Sequence, residues 1–98
     1  SVPTGTCAAL IKDKERCLVT KLDAANNFKP DHLDTPLAKE ILESCQVYYS
    51  AGFFLTVSVE SLVKVSEQFV AANKTICLNL SAPFIVDFFG VFSVCYLT

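Results

Sequence analysis

The stretch TICLNLSAPF, residues 75–84, carries two opposed instructions. Ile76-Cys77-Leu78-Asn79-Leu80 is an apolar run of strand length and reads as a buried strand. It stops abruptly at Ser81-Ala82-Pro83, where Ser favours a turn and Pro fixes φ and removes a donor. Phe84 then stands just past a rigid corner. Upstream, Ser58 is a good helix N-cap, and Glu60 in the first turn complements the helix dipole. Leu62, Val65, Phe69 and Ala72 recur at helical spacing, with Lys64, Glu67 and Gln68 on the outer face. Asn73-Lys74 closes that helix. Before it, Val47–Ala51 reads as another strand, left through Gly52-Phe53-Phe54-Leu55-Thr56-Val57. Strand, helix and strand within about 35 residues form a βαβ unit. Its strands are expected to run parallel, joined by a right-handed crossover. In open parallel sheets ligands sit beyond the carboxyl ends of the strands. Gly52-Phe53 and Ser81–Phe84 both fall there, so Phe53 and Phe84 are candidate aromatic walls for a flat ligand. The plainer alternative is that both rings cap the core.

Further out, Thr35 can cap a helix that Pro36 opens, with Leu37, Ile41, Leu42 and Cys45 inside and Lys39, Glu40 and Glu43 outside. Residues 24–35, rich in Asn, Asp, Lys and Pro, form a connection, and His32 within it reads as a solvated loop residue. Thr6–Ile11 and Cys17–Leu22 are short β-prone runs separated by the charged Lys12-Asp13-Lys14-Glu15-Arg16, the pattern of a hairpin with its loop in water. Strand alternation puts Leu18, Thr20 and Leu22 on one face, opposite Cys17, Val19 and Lys21.

The chain has 98 residues, enough for one small domain, and 52% of them are hydrophobic, enough to build a core. Net charge is −2 and no basic cluster exists, which disfavours nucleic-acid binding. Five Cys (Cys7, Cys17, Cys45, Cys77, Cys95) without a CxxC, beside a single His, disfavour a zinc site and a closed disulfide framework. They are expected to be reduced, mostly buried thiols of an intracellular protein. The N-terminus has no basic-then-apolar sequence, so no signal peptide is expected; the chain begins Ser-Val-Pro-Thr-Gly and contains no Met, so it is expected to be a fragment. The apolar run Phe84–Leu97 is too short for a membrane span, which needs about 20 residues.

Three strings now become specific. PTGTCAALI (3–11), AGFFLTVS (51–58) and LNLSAPFI (78–85), in this order and separated by a matching helix pattern, resemble the adenosine kinases among the ribokinase-like sugar and nucleoside kinases. The resemblance covers about residues 3–89, and GVFSVCYLT (90–98) departs from it. It implies a partial ribokinase-like, Rossmann-like α/β/α fold, with residues 1–23 as a lid β-hairpin, 24–35 as a connection and 36–98 as part of the large α/β domain. It implies transfer of the γ-phosphoryl group of ATP, with Mg²⁺, to the 5′-hydroxyl of adenosine, giving AMP for purine salvage in the cytoplasm or nucleus. The family's apolar lid contacts fall on Cys7, Leu18, Thr20 and Leu22, and its aromatic walls on Phe53 and Phe84. Thr20 departs from the small apolar residue usual there. Arg16 matches a lid arginine near the transferred phosphoryl group, where a cation stabilises transition-state charge. The ribose-contacting N-terminal portion, the Asn-x-x-Glu magnesium motif and the segment holding the anion hole and general base have no match in these residues. The chain alone is therefore expected to be inactive, to bind neither ATP nor Mg²⁺ well, and to self-associate or fold only partly. A rival from another class is a non-catalytic nucleoside-binding or protein-interaction module.

Overall fold

The computed structural model describes residues 1–88 and 90. Strands β1 (Thr6–Lys12) and β2 (Glu15–Lys21) form an antiparallel hairpin. Two 3-10 helices, Asp23–Asn27 and Pro30–Asp34, lead to helix α1 (Pro36–Ser44). Strand β3 (Val47–Ala51), a 3-10 helix at Gly52–Thr56, helix α2 (Val59–Ala71) and strand β4 (Thr75–Asn79) follow. β3 and β4 pair in parallel, with Val47 opposite Thr75 and Ala51 opposite Asn79, as the βαβ reading requires. Residues 83–88 are helical, with Pro83 at the start where its missing N–H is not needed.

Both helix starts follow from their caps. Thr35 Oγ accepts a hydrogen bond from the Ala38 N–H, and Ser58 Oγ from the Ser61 N–H. Asn73, at φ 53°, ends α2 in the left-handed conformation that Asn tolerates. Lys74 then reaches back to α1. Its Nζ donates to the carbonyls of Leu42 (3.2 Å) and Glu43 (2.7 Å), which lack intrahelical partners, and lies 5.2 Å from the centre of the Phe69 ring.

The core is small. Among the described residues the buried apolar side chains are Leu55, Leu62, Val65, Phe69 and Ile85. Leu55, Leu62 and Ile85 pack together under Tyr48, Phe54, Leu78 and Ala82, so α2, the Gly52–Thr56 turn and the helical segment after β4 cover one side of the sheet. The accessible surface is 7347 Å², against about 5,500 Å² for a compact protein of this mass.

Several expectations change. β4 is not buried, because Thr75, Cys77 and Asn79 are exposed and only Ile76 and Leu78 are half-buried. A two-stranded sheet with cover on one side leaves its other face open. The α1 stripe is not a core face either, since Leu37 is 67% and Ile41 52% exposed. Among the described residues the thiols are free but not mostly buried: Cys7, Cys17 and Cys77 are exposed and Cys45 is half-buried, while Cys95 lies outside the described residues. The connection 24–35 carries two 3-10 helices rather than open loop, and exposed His32 stands edge-on to Phe28 at 5.6 Å. Lys64 does not simply face water; it pairs with Asp34 at 2.6 Å. Ala72 caps the exposed end of α2 instead of extending its buried stripe. The hairpin connection shrinks to Asp13-Lys14, with Asp13 at φ 54°, because Lys12 and Glu15 already pair.

Candidate functional site

The carboxyl edge of the β3–β4 sheet is where the sequence places an aromatic site, and two rings meet there. The centroids of Phe53 and Phe84 lie 5.8 Å apart with their planes at 52°. A flat ligand sandwiched between parallel rings needs about 7 Å, twice the ordinary carbon–carbon contact distance. The pair therefore forms an angled corner rather than a slot, and a planar ring can lie only against its open faces. Those faces are available: Phe53 is 52% and Phe84 42% exposed.

The backbone beneath this corner is held tightly. Gly52 is buried, and a Cβ at that position would stand 2.5 Å from the Asn79 carbonyl oxygen and 3.0 Å from the Leu80 carbonyl carbon. Both obstacles are backbone, so only Gly lets the end of β3 approach β4 this closely. The polar side chains of the edge then tie the two strand ends together. The Gly52 N–H donates to Asn79 Oδ1 at 3.1 Å, and the Phe53 N–H donates to Ser81 Oγ at 3.1 Å. The Ser81 hydroxyl donates to Asn79 Oδ1, and Asn79 Nδ2 donates to the Tyr49 hydroxyl, each at 2.6 Å. Sequence reading missed this network. Its signal was a polar Asn inside an otherwise apolar strand, two residues before a Ser.

The hairpin brings together a second group. The register sets Cys7 opposite Thr20, Ala9 opposite Leu18 and Ile11 opposite Arg16, so these six residues share one face. Arg16 is thus a strand residue, and it belongs to neither ion pair among the described residues, Lys21–Asp23 and Lys64–Asp34. For Leu22 only the placement on the strand face changes. It follows β2 with φ −78° and ψ −32°, so the chain has already turned and strand alternation no longer assigns it to that face. Every residue of β1 and β2 is exposed, so no described residue packs closely over this face. A separate cavity of about 630 Å³ lies between the Asp23–Asn27 turn and Phe54, lined by Phe28, Lys29, His32 and Val57 among others, away from both groups.

No group of three His, Cys, Asp or Glu side chains among the described residues stands close enough to hold a metal ion.

The chain thus joins an antiparallel hairpin to a parallel strand pair that ends in an aromatic corner. The chain matches the pfkB family of carbohydrate kinases over residues 1–95 and belongs to that family. The match enters the stretch 90–98 that the sequence set apart; residues 91–98 lie outside those the structure describes. Its relatives within the family include adenosine kinases. It is 52% identical over 89 residues to adenosine kinase 2 of Arabidopsis thaliana, covering 91% of this chain and 26% of the relative. It superposes with a TM-score of 0.85 on the adenosine kinase of Anopheles gambiae in complex with P1,P4-di(adenosine-5) tetraphosphate, at 38% identity, covering 98% of this chain and 28% of that one. The Schistosoma mansoni adenosine kinase with adenosine in an occluded loop conformation superposes with a TM-score of 0.80 at 36% identity, covering 89% of this chain and 25% of that one. The fold is accordingly part of the ribokinase-like α/β architecture, and the chain spans about a quarter of the length of the relatives it matches.

Proposed function

We propose that this segment forms part of the nucleoside site of an adenosine kinase, a phosphotransferase acting on the 5′-hydroxyl of adenosine. The observation that carries the reading is the Phe53–Phe84 corner at the carboxyl edge of the parallel pair in a chain 52% identical to an adenosine kinase. Adenine lies against the open ring faces. The hairpin, residues 1–23, acts as the lid, contacting the nucleoside with Cys7, Leu18, Thr20 and Leu22; residues 24–35 connect it to the part of the large domain in 36–98. Arg16 sits on the same lid face as Cys7, Leu18 and Thr20 and offsets charge on the transferring phosphoryl group. In that transfer the bond from the γ-phosphorus to the bridging oxygen of ATP breaks and a bond to the nucleoside 5′-oxygen forms. The 5′-hydroxyl proton leaves to a base that matches no residue here, and the products are AMP and ADP. ATP and Mg²⁺ belong to the whole enzyme, acting in the cytoplasm or nucleus, and no step is assigned to them on these residues.

Two measurements test this. The purified 98-residue chain is expected to form no AMP from ATP and adenosine above blank, because phosphoryl transfer depends on positioning and charge stabilisation by groups it does not supply. AMP formation that follows the chain through purification overturns that statement. In the full-length kinase polypeptide, Phe53→Ala is expected to weaken adenosine binding about five- to 150-fold, since base stacking on an aromatic ring contributes roughly 1–3 kcal/mol. Glu67→Ala, on the exposed face of α2, is expected to change it little. Equal, small effects of the two would show that Phe53 only packs.

A further inference from the structure

We propose that Ser81, oriented by Asn79, is a positioning residue of the nucleoside site, and that its hydroxyl sets where Phe53 stands against Phe84. The inference rests on the nucleoside-site reading above and deepens it. Three observations converge on Ser81. Its φ of 57° is a left-handed backbone conformation that non-glycine residues seldom adopt. The Ala82 N–H closes on the Leu80 carbonyl oxygen at 2.6 Å, a three-residue turn centred on Ser81, and turns of this kind with positive φ are rare and strained. Within that turn the hydroxyl is spoken for twice, accepting from the Phe53 N–H and donating to Asn79 Oδ1. A turn alone would be better served by Gly, which enters this region at no steric cost. The presence of Ser therefore points to its Oγ.

The geometry says what the Oγ does. Phe53 is the first residue after Gly52, whose N–H is fixed by Asn79, so the two linked side chains hold consecutive N–H groups at the root of the Phe53 side chain. Phe84 hangs three residues past Ser81, beyond a Pro with restricted φ. One hydroxyl thus stands at the junction between the segments bearing the two rings. Breaking it frees Phe53 to swing relative to Phe84 and opens the corner without touching the reacting groups.

The test separates hydroxyl from turn. In the full-length kinase polypeptide, Ser81→Gly keeps the turn and removes only the Oγ; Ser81→Ala removes the Oγ and keeps the backbone strain. Both are expected to raise the KM for adenosine about five- to tenfold, with kcat within about twofold of wild type and the KM for ATP unchanged. Ser81→Gly is expected to melt no lower than Ser81→Ala. A Ser81→Gly enzyme with wild-type KM for adenosine overturns the proposal, as does a loss confined to the amount of folded enzyme. Phe53→Ala, run in parallel, isolates the reading beneath it. If Phe53→Ala leaves adenosine KM unchanged, the nucleoside-site reading fails; if it raises KM while Ser81→Gly does not, only the positioning role fails.

Discussion

The β1–β2 hairpin and the β3–α2–β4 unit each contain one two-stranded sheet built from strands of similar apolar content, yet only the second builds a covered core on one face of its sheet. In the hairpin Ile11 is 77%, Val19 65% and Leu10 64% exposed. In the βαβ unit Leu55, Leu62 and Val65 are each 2% exposed and Phe69 1%. The difference lies in the connection. A two-residue turn brings antiparallel strands together but supplies nothing to cover them. The crossover that a parallel pair requires is long enough to be a helix, and that helix lies on the sheet. Parallel pairing thus brings its own cover, whereas a hairpin depends on cover from elsewhere, and an isolated one is marginal in water.

The sharpest way to break this contrast is to remove side chains from each region of the 98-residue chain and follow thermal or denaturant unfolding. Phe69→Ala removes a ring that packs against Tyr48 at 5.7 Å and lies beneath Lys74 at 5.2 Å. Truncating a buried Phe costs roughly 3–5 kcal/mol, a large part of a small domain's total stability, so cooperative unfolding is expected to disappear. Leu18→Ala in the hairpin, where the side chain is 54% exposed, is expected to shift stability by about 0.5 kcal/mol or less. Comparable losses for the two would mean that the hairpin is covered in solution and that the exposure described here does not persist.

How much of this was legible in the sequence follows the same division. Local signals read correctly: Thr35 and Ser58 as caps, the Leu62-Val65-Phe69 stripe, and the parallel pairing across α2. The caps and the stripe depend on residues within one or two turns of one another, and the parallel pairing follows from the helix-length crossover between its strands. The burial of Ile76–Leu80 and of the Leu37-Ile41 stripe was misread, because an apolar pattern records which face ought to be covered, not whether a covering element is present. The aromatic corner was legible through the rule that ligands sit at the carboxyl ends of parallel strands. Its angle and its Asn79–Ser81 support were not, since both depend on contacts between residues 27 or 28 positions apart. Asp13 was hidden for a different reason: a left-handed Asp that tightens a turn looks the same in sequence as a charge in a loop.

A smaller effect sharpens the hairpin side of the comparison. Large exposed apolar patches favour association, and the open strands also present unpaired backbone groups. We propose that the isolated chain self-associates through this hairpin. Replacing Ile11 and Val19, on opposite faces of the hairpin, with Lys is then expected to lower the sedimentation-average mass of the chain toward that of a monomer, because inward or edge charges oppose strand-to-strand pairing. The same two substitutions are expected to leave the melting of the βαβ core nearly unchanged. A wild-type chain that already sediments as a single monomer overturns this prediction.

The smallest effect concerns an ion pair that fastens the connecting segment onto the core unit. Asp34 ends the second 3-10 helix, and its carboxylate meets Lys64 on α2 at 2.6 Å. The hydrogen bond from Lys64, assisted by the charges of Lys64 and Lys39, holds the Asp34 pKa below its ordinary value. The folded chain therefore binds the Asp34 proton less readily than the unfolded chain. The stability this contributes is fully present above the unfolded pKa of about 3.9 and is lost as pH falls through the lower folded value. The lysine side chain is 41% and the aspartate 51% exposed, so solvent and salt screen the pair and its contribution is small. Lys64→Gln is expected to lower the melting temperature slightly at pH 7, by an amount that stays constant down to about pH 5 and shrinks below about pH 4. High salt is expected to shrink it at every pH. A difference between wild type and variant that persists undiminished below about pH 4 would mean that Lys64 stabilises the fold through its packing on α2 and not through Asp34.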